Sequence, residues 1–286
     1  MRRAPRLRGA RRAYACLRRR RRAEAAKARE ACMEELGVIG GLGPAATARL
    51  MERVVFFTDV ARDQDHLDVT VLNRPWIPDR TSYLMRKRGA VSFVDPMRDA
   101  ALELEACGCT VLCTPCNTAH ARLDDIAAPL ETARFVHMPR ETARLVAELG
   151  AKRVAVLGTD GTRAAGVYDE AFAAVGMSAV YPDEERQREV MSTIYDEVKA
   201  GRCDGPGHVE ALCAAMAWDG CDGIVLGCTE LSAVGCAPIV AGAAVVDALD
   251  VLAWRCVREC GAPARDLKAR FADAACVRQS ASDVVG

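Results

Sequence analysis

Two short segments of the chain share one pattern, and this pattern constrains the fold more than any other feature of the sequence. The first is Cys109 to His120 (CTVLCTPCNTAH), and the second is Gly223 to Leu231 (GIVLGCTEL). Each begins with apolar residues typical of a buried strand and passes through a cysteine into Asn or Thr, which favour a helix start. Each segment therefore predicts a strand, a turn and a helix. The thiol lies at the carboxyl end of the strand, where open α/β sheets carry their ligand sites.

The two segments belong to a longer repeat. Small-residue turns at Gly40–Pro44 and Gly158–Thr162 begin 118 residues apart, and Cys116 and Cys228 are 112 residues apart. Nearly equal separations predict an internal duplication with two similar α/β halves. The first turn lacks the third glycine of a G-x-G-x-x-G loop, so a dinucleotide site is not favoured.

Length and charge limit the classes of function. With 286 residues, 51% of them hydrophobic, the chain can build two compact α/β units. Its apolar runs fall short of the roughly 18 residues of a membrane span, so we expect no membrane partner. Residues 1–32 carry 13 Lys and Arg against two acids, and the rest carries 26 against 37. The acidic body has no basic patch interleaved with aromatic residues, so we expect no nucleic-acid partner.

The basic leader at 1–32 is interpreted as a disordered extension that precedes a functional start at Met33. It has no apolar h-region of the kind that a signal peptide contains, so it is not a secretory signal. A nucleic-acid tail and a transit peptide remain alternatives. The 14 cysteines of the chain are scattered and follow no signal peptide. This usage predicts a reducing compartment and a cytoplasmic location.

Hydrophobic periodicity and turn residues predict alternating strands and helices. Strands are predicted at about 36–39, 67–72, 109–113, 135–138, 153–157, 223–226 and 243–246, and helices at about 45–58, 99–108, 117–123, 141–149, 164–175, 183–200, 208–217 and 247–259. Pro139 is expected to break the chain between a strand and a helix. In the long helix at 183–200, Tyr195 and Lys199 share one face that borders the core.

Two alternative sites use the first cysteine cluster alone. Cys113 and Cys116 form a C-x-x-C pattern, but a redox motif opens a helix at its first cysteine, whereas Cys113 ends a strand. Zinc binding by Cys107, Cys109, Cys113 and Cys116 lacks a second knuckle with metal spacing. We therefore expect neither a redox site nor a metal site.

Two further alternatives concern catalysis by thiols. A single nucleophilic cysteine with His120 as its base would leave the Cys228 turn without a purpose. If Cys116 and Cys228 instead flank one carbon atom, a thiolate can remove a proton from one face while a thiol delivers a proton to the other. Such chemistry inverts the stereocentre and needs no cofactor.

The chain resembles the aspartate racemase group of the cofactor-independent aspartate/glutamate racemase family. The resemblance covers about residues 36–255 and is carried, in order, by VIGGLGPAAT, NRPWIPDRT, PCNTAH, TDGT, PDEE, MSTIYDEVKAG and GCTEL. It implies two pseudo-symmetric parallel-sheet α/β domains with the active site in the cleft between them. The first domain would span 33–139, the second 140–240, and 241–286 would return to the first. The resemblance also implies a homodimer and no cofactor.

The same resemblance assigns roles to single residues. Cys116 and Cys228 become the two catalytic proton donors and acceptors. Substrate-binding roles fall to Arg80, Asn117, Thr118, Ala119, Tyr195, Lys199, Thr229 and Glu230, with Asn117 to Ala119 holding the α-carboxylate and Arg80 and Lys199 the side-chain carboxylate. Leu42 stands where the family often has Met, which affects any inference about the length of the substrate.

The function that follows is racemisation of a small acidic amino acid, aspartate first. Glutamate, broad-specificity amino-acid and hydantoin racemases remain alternatives, as do thiol-dependent isomerases and decarboxylases. A binding protein that retains the cleft without turnover would lack one of the two thiols, and both are present.

Overall fold

The computed structural model describes residues 33–202 and 205–271 of the chain. The basic leader at 1–32 and the end of the predicted return segment at 272–286 lie outside the described residues. Within the described ranges, no helix combines the length and the apolarity needed to cross a bilayer.

The first half of the chain forms a four-stranded parallel sheet. Its strands are β1 (Leu36–Gly40), β2 (Val69–Asn73), β3 (Val111–Cys113) and β4 (Arg134–Phe135), in the spatial order β2-β1-β3-β4. Parallel strands need crossover connections. These are supplied by α1 (Pro44–Phe57), α2 (Arg80–Leu84), α3 (Val94–Ala106), α4 (Leu123–Ala127) and by 3₁₀ turns at Asp63–Asp65 and Asn117–Arg122.

The second half forms a five-stranded sheet. Its strands are β5 (Val154–Leu157), β6 (Ala179–Val180), β7 (Gly223–Leu226), β8 (Ile239–Val240) and β9 (Ala243–Asp247), in the order β6-β5-β7-β9-β8. Only the pairing of β8 with β9 is antiparallel among these described strands. The helices are α5 (Met138–Glu148), α6 (Asp160–Ala164), α7 (Val167–Ala173), α8 (Glu184–Ser192), α9 (Gly207–Trp218), α10 (Thr229–Val234) and α11 (Ala248–Glu259), with a π-helix at Thr193–Val198 and a 3₁₀ turn at Lys268–Phe271.

The two sheets repeat one topology. The order β2-β1-β3-β4 corresponds to β6-β5-β7-β9, so β3 and β7 occupy equivalent places. Cys116 and Cys228 follow these two strands. This arrangement confirms the predicted fold class of two pseudo-symmetric, parallel α/β sheets.

Helix α11 joins the two halves. It packs against α1 and α5, and one continuous core cluster contains apolar residues of all three helices and of both sheets. Strand β9, which immediately precedes it, pairs with β7 in the second sheet. The chain therefore leaves the second sheet after Asp247, later than the predicted return at 241. The division into domains at 139 and 240 stays a prediction.

Two prolines lie in the first turns of helices, at positions where the sequence pattern predicts no helix. Helix α3 starts at Val94 rather than near Asp99, because Pro96 lies in its first turn, where no backbone N–H is needed. Helix α5 contains Pro139 in its first turn, and the His137 side chain caps it by accepting from Arg140 N at 3.3 Å. The prediction that Pro139 breaks the chain is therefore wrong, and β4 ends at Phe135.

Two predicted helices differ in the structure. The helix expected at 164–175 begins only at Val167, after Gly166, whose φ of 64° is left-handed, and the separate helix α6 covers part of the turn predicted at 158–162. The helix expected at 183–200 continues beyond Ser192 with π geometry, since Lys199 N donates to Ile194 O at 3.1 Å. A π turn is one residue longer than an α turn, but Tyr195 and Lys199 still share one face as predicted, since Lys199 Nζ lies 4.1 Å from the centre of the Tyr195 ring.

Candidate active site

A cleft lies where the carboxyl ends of the two sheets face each other. The space between its lining atoms, counted together with the part that is open solvent, is about 280 Å³. The residues that line it are Leu42, Asp79, Arg80, Thr81, Cys116, Asn117, Thr118, Thr159, Tyr195, Lys199, Cys228, Thr229 and Glu230. The structure thus brings together all of the predicted site residues except Ala119.

The two thiols occupy equivalent backbone positions. Each cysteine has extended φ and ψ angles and immediately precedes a helical turn. The carbonyl of Cys116 accepts from Ala119 N at 3.2 Å, and that of Cys228 accepts from Leu231 N at 3.0 Å. The residues are similarly buried, at 7% and 6% exposure. The duplicated backbone therefore presents one thiol from each half to the same space.

Arg80 is fixed by backbone carbonyls while keeping donors for the cleft. Its guanidinium donates to Ile77 O at 3.3 Å, to Pro78 O at 3.0 Å and to Leu42 O. An arginine has five N–H donors, and Nε, which is buried, has no hydrogen-bond partner. Burial lowers the pKa of Arg80, but the neighbouring Cys116 and the acids Asp79 and Glu230 outweigh this and raise it. A preorganised cation therefore lies beside one thiol.

Lys199 provides a second cation from the π-helix region. Its Nζ lies 3.7 Å from Glu230 Oε1 and 4.1 Å from the centre of the Tyr195 ring. Burial lowers the pKa of Lys199, but Glu230, Tyr195 and the two cysteines raise it more. The π turn places both Tyr195 and Lys199 in the cleft.

Glu230 lies directly against the second thiol. The Cys228 thiol donates to Glu230 Oε2 at 3.0 Å. Burial and the Glu230 carboxylate hold the pKa of Cys228 well above its ordinary value, although Lys199 opposes them. Gly43 leaves the space for Glu230, since a Cβ at that position would lie 2.8 Å from Oε1. The first glycine turn thus accommodates a carboxylate of the second half.

Asn117 has one amide atom occupied and one free. The hydroxyl of Tyr168, a fully buried residue of α7, donates to Asn117 Oδ1 at 2.7 Å. The Nδ2 atom of Asn117 is buried without a hydrogen-bond partner. Since Tyr168 fixes the oxygen, the amide nitrogen is left as a donor. The sequence analysis missed Tyr168, which carries no motif of its own.

Threonine hydroxyls connect the two halves beside the cleft. Thr118 Oγ1 lies 3.1 Å from Thr159 Oγ1 and 2.9 Å from Thr162 Oγ1, and Thr81 Oγ1 donates to Thr159 Oγ1 at 3.3 Å. Thr81 and Thr159 line the cleft together with Asp79, and none of these three was predicted. The TDGT motif, equivalent to the first glycine turn, was the available signal for Thr159.

Two predicted binding residues have mainly backbone contacts. Ala119 is fully buried and does not line the cleft, and its N–H is already bonded to the carbonyl of Cys116. The structure therefore does not bring Ala119 to the candidate site. Thr229 lines the cleft, and its hydroxyl donates to Pro115 O at 3.0 Å.

His120 links the Cys116 turn to the first residue of helix α5. Its Nδ1 lies 2.9 Å from Cys116 O, and its Nε2 accepts from Met138 N at 3.2 Å. Burial lowers the pKa of His120 to about 4. The neutral ring therefore contacts the backbone of Cys116, which agrees with a packed, capping histidine.

The alternative sites at the first cysteine cluster have no support in the geometry. Cys113 is fully buried beside Cys256 of α11 and does not line the cleft with Cys116. Among the residues that the structure describes, no group of three or more His, Cys, Asp or Glu side chains is placed to hold a metal ion.

Comparisons with known proteins identify the family and the fold. A model of the family described as Asp/Glu/Hydantoin racemase matches residues 39–256. The broad specificity amino-acid racemase RacX of Bacillus subtilis (strain 168) is 24% identical over 208 residues, covering 70% of this chain and 86% of that protein. The structure of the Picrophilus torridus aspartate racemase is 27% identical with a TM-score of 0.71, covering 83% of this chain and 97% of its own. A glutamate racemase from Bacillus anthracis shares the fold at 16% identity, with a TM-score of 0.52 over 83% of this chain and 86% of its own.

Proposed function

The chain belongs to the Asp/Glu/hydantoin racemase family, and we propose that it interconverts the L- and D-forms of an acidic amino acid, aspartate first, by proton transfer through Cys116 and Cys228. Family membership confirms the predicted resemblance and the predicted class of enzyme, an amino-acid racemase. The substrate and the two-thiol mechanism are the content of the proposal.

One observation carries this proposal: two equally buried thiols, one from each half, line a cleft that also contains two cations. A thiolate on one side of the α-carbon removes its hydrogen as a proton, and a thiol on the other side delivers a proton to the opposite face. The electron pair of the broken C–H bond stays with the substrate between these steps, shared between the α-carbon and the adjoining carboxylate. Net inversion follows because the two faces are served by different sulfur atoms.

The remaining polar groups suit the rest of the substrate. The free Nδ2 of Asn117 is a donor for the α-carboxylate, on which the negative charge of the intermediate develops. Arg80 and Lys199 are cations for the side-chain carboxylate, and Arg80 can bind it with a bidentate fork. Roles for Thr118, Tyr195, Thr229 and Glu230 in substrate binding remain predictions from the family resemblance.

Aspartate is the first candidate because the Picrophilus torridus protein, at 27% identity, is named an aspartate racemase. The match to the broad specificity racemase RacX supports a second candidate, a racemase that accepts several amino acids. The two cations of the cleft favour an acidic side chain. A homodimer and a cytoplasmic location remain predictions, and sedimentation of the purified chain tests the first.

The deciding experiment follows α-hydrogen exchange together with racemisation. The full chain is incubated in deuterated water with enantiopure aspartate, glutamate, alanine or lysine, without added metal or pyridoxal phosphate. We expect loss of optical rotation and α-deuteration for aspartate, and less than a tenth of that rate for alanine and lysine. A Cys116→Ser/Cys228→Ser double variant is the matched control.

Absence of exchange with both acidic substrates would overturn the proposal. Comparable rates with neutral and basic amino acids would instead establish the broad-specificity alternative.

A further inference from the structure

We propose that Glu230 keeps the catalytic proton on Cys228 in the unliganded enzyme, which leaves Cys116 as the thiol that begins a turnover as the base. Glu230 is in this respect a positioning residue, since it acts through the sulfur atom of Cys228. The inference rests on the proposed function, but its test measures the state of the thiols and not turnover.

The backbone does not distinguish the two cysteines. Both residues have extended geometry, both carbonyls accept from the residue three positions later, and their exposures differ by only one percentage point. Any difference between the sulfur atoms must therefore come from the side chains around them.

Those side chains have opposite charges. Cys228 donates its thiol hydrogen to Glu230 Oε2 at 3.0 Å, and only the protonated thiol can make this bond. A thiolate there would face a carboxylate, an arrangement that like charges disfavour. Cys116 instead lies beside the guanidinium of Arg80, which interacts with it through charge and hydrogen bonding.

The other charged and titratable groups around the sulfurs do not reverse this difference. Lys199 acts on both cysteines and is itself drawn to Glu230 Oε1 at 3.7 Å. Tyr168 and Tyr195, which also interact with Cys228, stay protonated because burial raises their pKa values. The net result for Cys228, a pKa well above the ordinary value, agrees with the geometry.

The proton balance of one turnover follows. Cys116 as thiolate takes the α-hydrogen as a proton, and Cys228 gives its proton to the opposite face and becomes a thiolate beside Glu230. The starting state is restored when Cys228 regains a proton and Cys116 loses the proton that it accepted, either by exchange of both with solvent or by the reverse reaction of a molecule of the opposite enantiomer. The enantiomer whose α-hydrogen faces Cys116 is therefore the one that the unliganded enzyme processes directly.

The test is alkylation of the full, substrate-free chain by iodoacetamide between pH 6 and pH 10, with each cysteine quantified by peptide mass spectrometry. Thiolates react and thiols do not. At pH 7 we expect Cys116 to react at least about tenfold faster than Cys228. Glu230→Gln should accelerate Cys228 about tenfold and move its reactivity profile toward lower pH, with Cys116 unchanged.

Matched variants separate charge from folding. Glu230→Asp retains the carboxylate and should keep Cys228 slow, whereas Glu184→Gln, at the exposed start of α8, should change neither cysteine. Cys113, which is fully buried near Cys116, reports any general unfolding by becoming alkylated.

Equal rates for the two cysteines in the wild type would overturn the inference, as would a Cys228 profile that Glu230→Gln leaves unchanged in a chain whose Cys113 stays protected. Absence of racemase activity would refute the proposed function and leave these alkylation results standing.

Discussion

The Cys116 turn and the Cys228 turn are alike in backbone and unlike in surroundings. Each places a thiol after the third strand of its sheet and closes with a backbone bond to the cysteine carbonyl. Beside the first thiol lies the Arg80 guanidinium, and against the second lies the Glu230 carboxylate. The duplication thus preserved the position of the sulfur, while the side chains diverged. A racemase needs matched geometry on two faces, but an acid and a base need different partners.

The largest effect should come from removing either sulfur. Cys116→Ser and Cys228→Ser should each reduce racemisation by about 10³-fold or more, because serine is a far weaker proton acceptor and general acid–base catalysis contributes about 10²–10⁴-fold. Each single variant should still exchange the α-hydrogen of one enantiomer with deuterium, since one thiol still serves one face. The measurement is NMR of deuterium incorporation into L- and D-aspartate separately.

Cys107→Ser is the control, because Cys107 is a partly exposed cysteine outside the cleft. If both single variants at the cleft retained wild-type racemisation, the comparison between the two turns would have no catalytic meaning.

A smaller loss should follow from Arg80→Lys on the first side of the cleft. A charged hydrogen bond contributes about 1.5–3 kcal/mol, so kcat/KM for aspartate should fall about 10- to 150-fold. Lysine cannot reproduce the fork of donors that reaches both the backbone carbonyls and a carboxylate. Kinetics with aspartate measure the loss, and Arg98→Lys, at an exposed ion pair with Asp95, provides the control. Unchanged kinetics for Arg80→Lys would remove this residue from the site.

Tyr168→Phe tests the orientation of Asn117, whose equivalent after Cys228 is Thr229, a residue without an amide. Losing a neutral hydrogen bond costs about 0.5–1.5 kcal/mol, so kcat/KM should fall about 2- to 12-fold as the amide loses its fixed orientation. If Tyr168 acts only through Asn117, Asn117→Ala should remove most of the further effect of Tyr168→Phe in a double-mutant cycle. Additive losses in that cycle would show that Tyr168 acts elsewhere.

The effects on stability, unlike those on activity, are confined to a window of pH, in which one buried group from each half titrates and the two groups act in opposite directions. His120 packs against the Cys116 turn, and burial lowers its pKa to about 4. Its contribution to stability is therefore present above pH 6.5 and lost as the pH falls toward 4. Asp247, which accepts from Ser232 of α10, has a pKa raised to about 6 by burial and by Asp250. Its contribution is present below pH 3.8 and lost as the pH rises to about 6.

Each contribution changes by at most about 1.4 kcal/mol per pH unit in these windows. Between pH 4 and pH 6, His120→Asn should therefore make the free energy of unfolding decrease more steeply with rising pH than in the wild type. Asp247→Asn should instead make the free energy of unfolding increase with rising pH, relative to the wild type. Urea unfolding at several pH values measures both slopes, and parallel curves for the wild type and the two variants would contradict the assignment.

The sequence predicted those parts of the molecule that depend on local pattern. Buried strands such as β7, the turns around the two cysteines and the duplicated topology follow from periodicity and turn residues. The repeated turn pattern marks the two cysteines, whereas the roles of the other residues that meet in the cleft were assigned from motifs of a known family. Their joint lining of one cleft is a structural observation, while their roles await experiment.

Features that arise from packing were not predictable in this way. Tyr168 reaches Asn117 across 51 positions of sequence, and no local signal marks that contact. The π geometry of residues 193–198 breaks the periodicity on which the prediction of a regular helix depends. Pro139 was interpreted as an interruption, although the same fixed φ angle also suits a first helical turn.

Helix α11 has a consequence for the separability of the two halves. It covers the apolar side of α1, where Leu50, Val54 and Phe57 share a core with residues from the far end of the chain. A fragment that stopped at Pro139 would leave these side chains facing water. The first half therefore cannot be studied by truncation at Pro139, and a permuted gene that begins at α11 and runs on into β1 would keep the first unit whole.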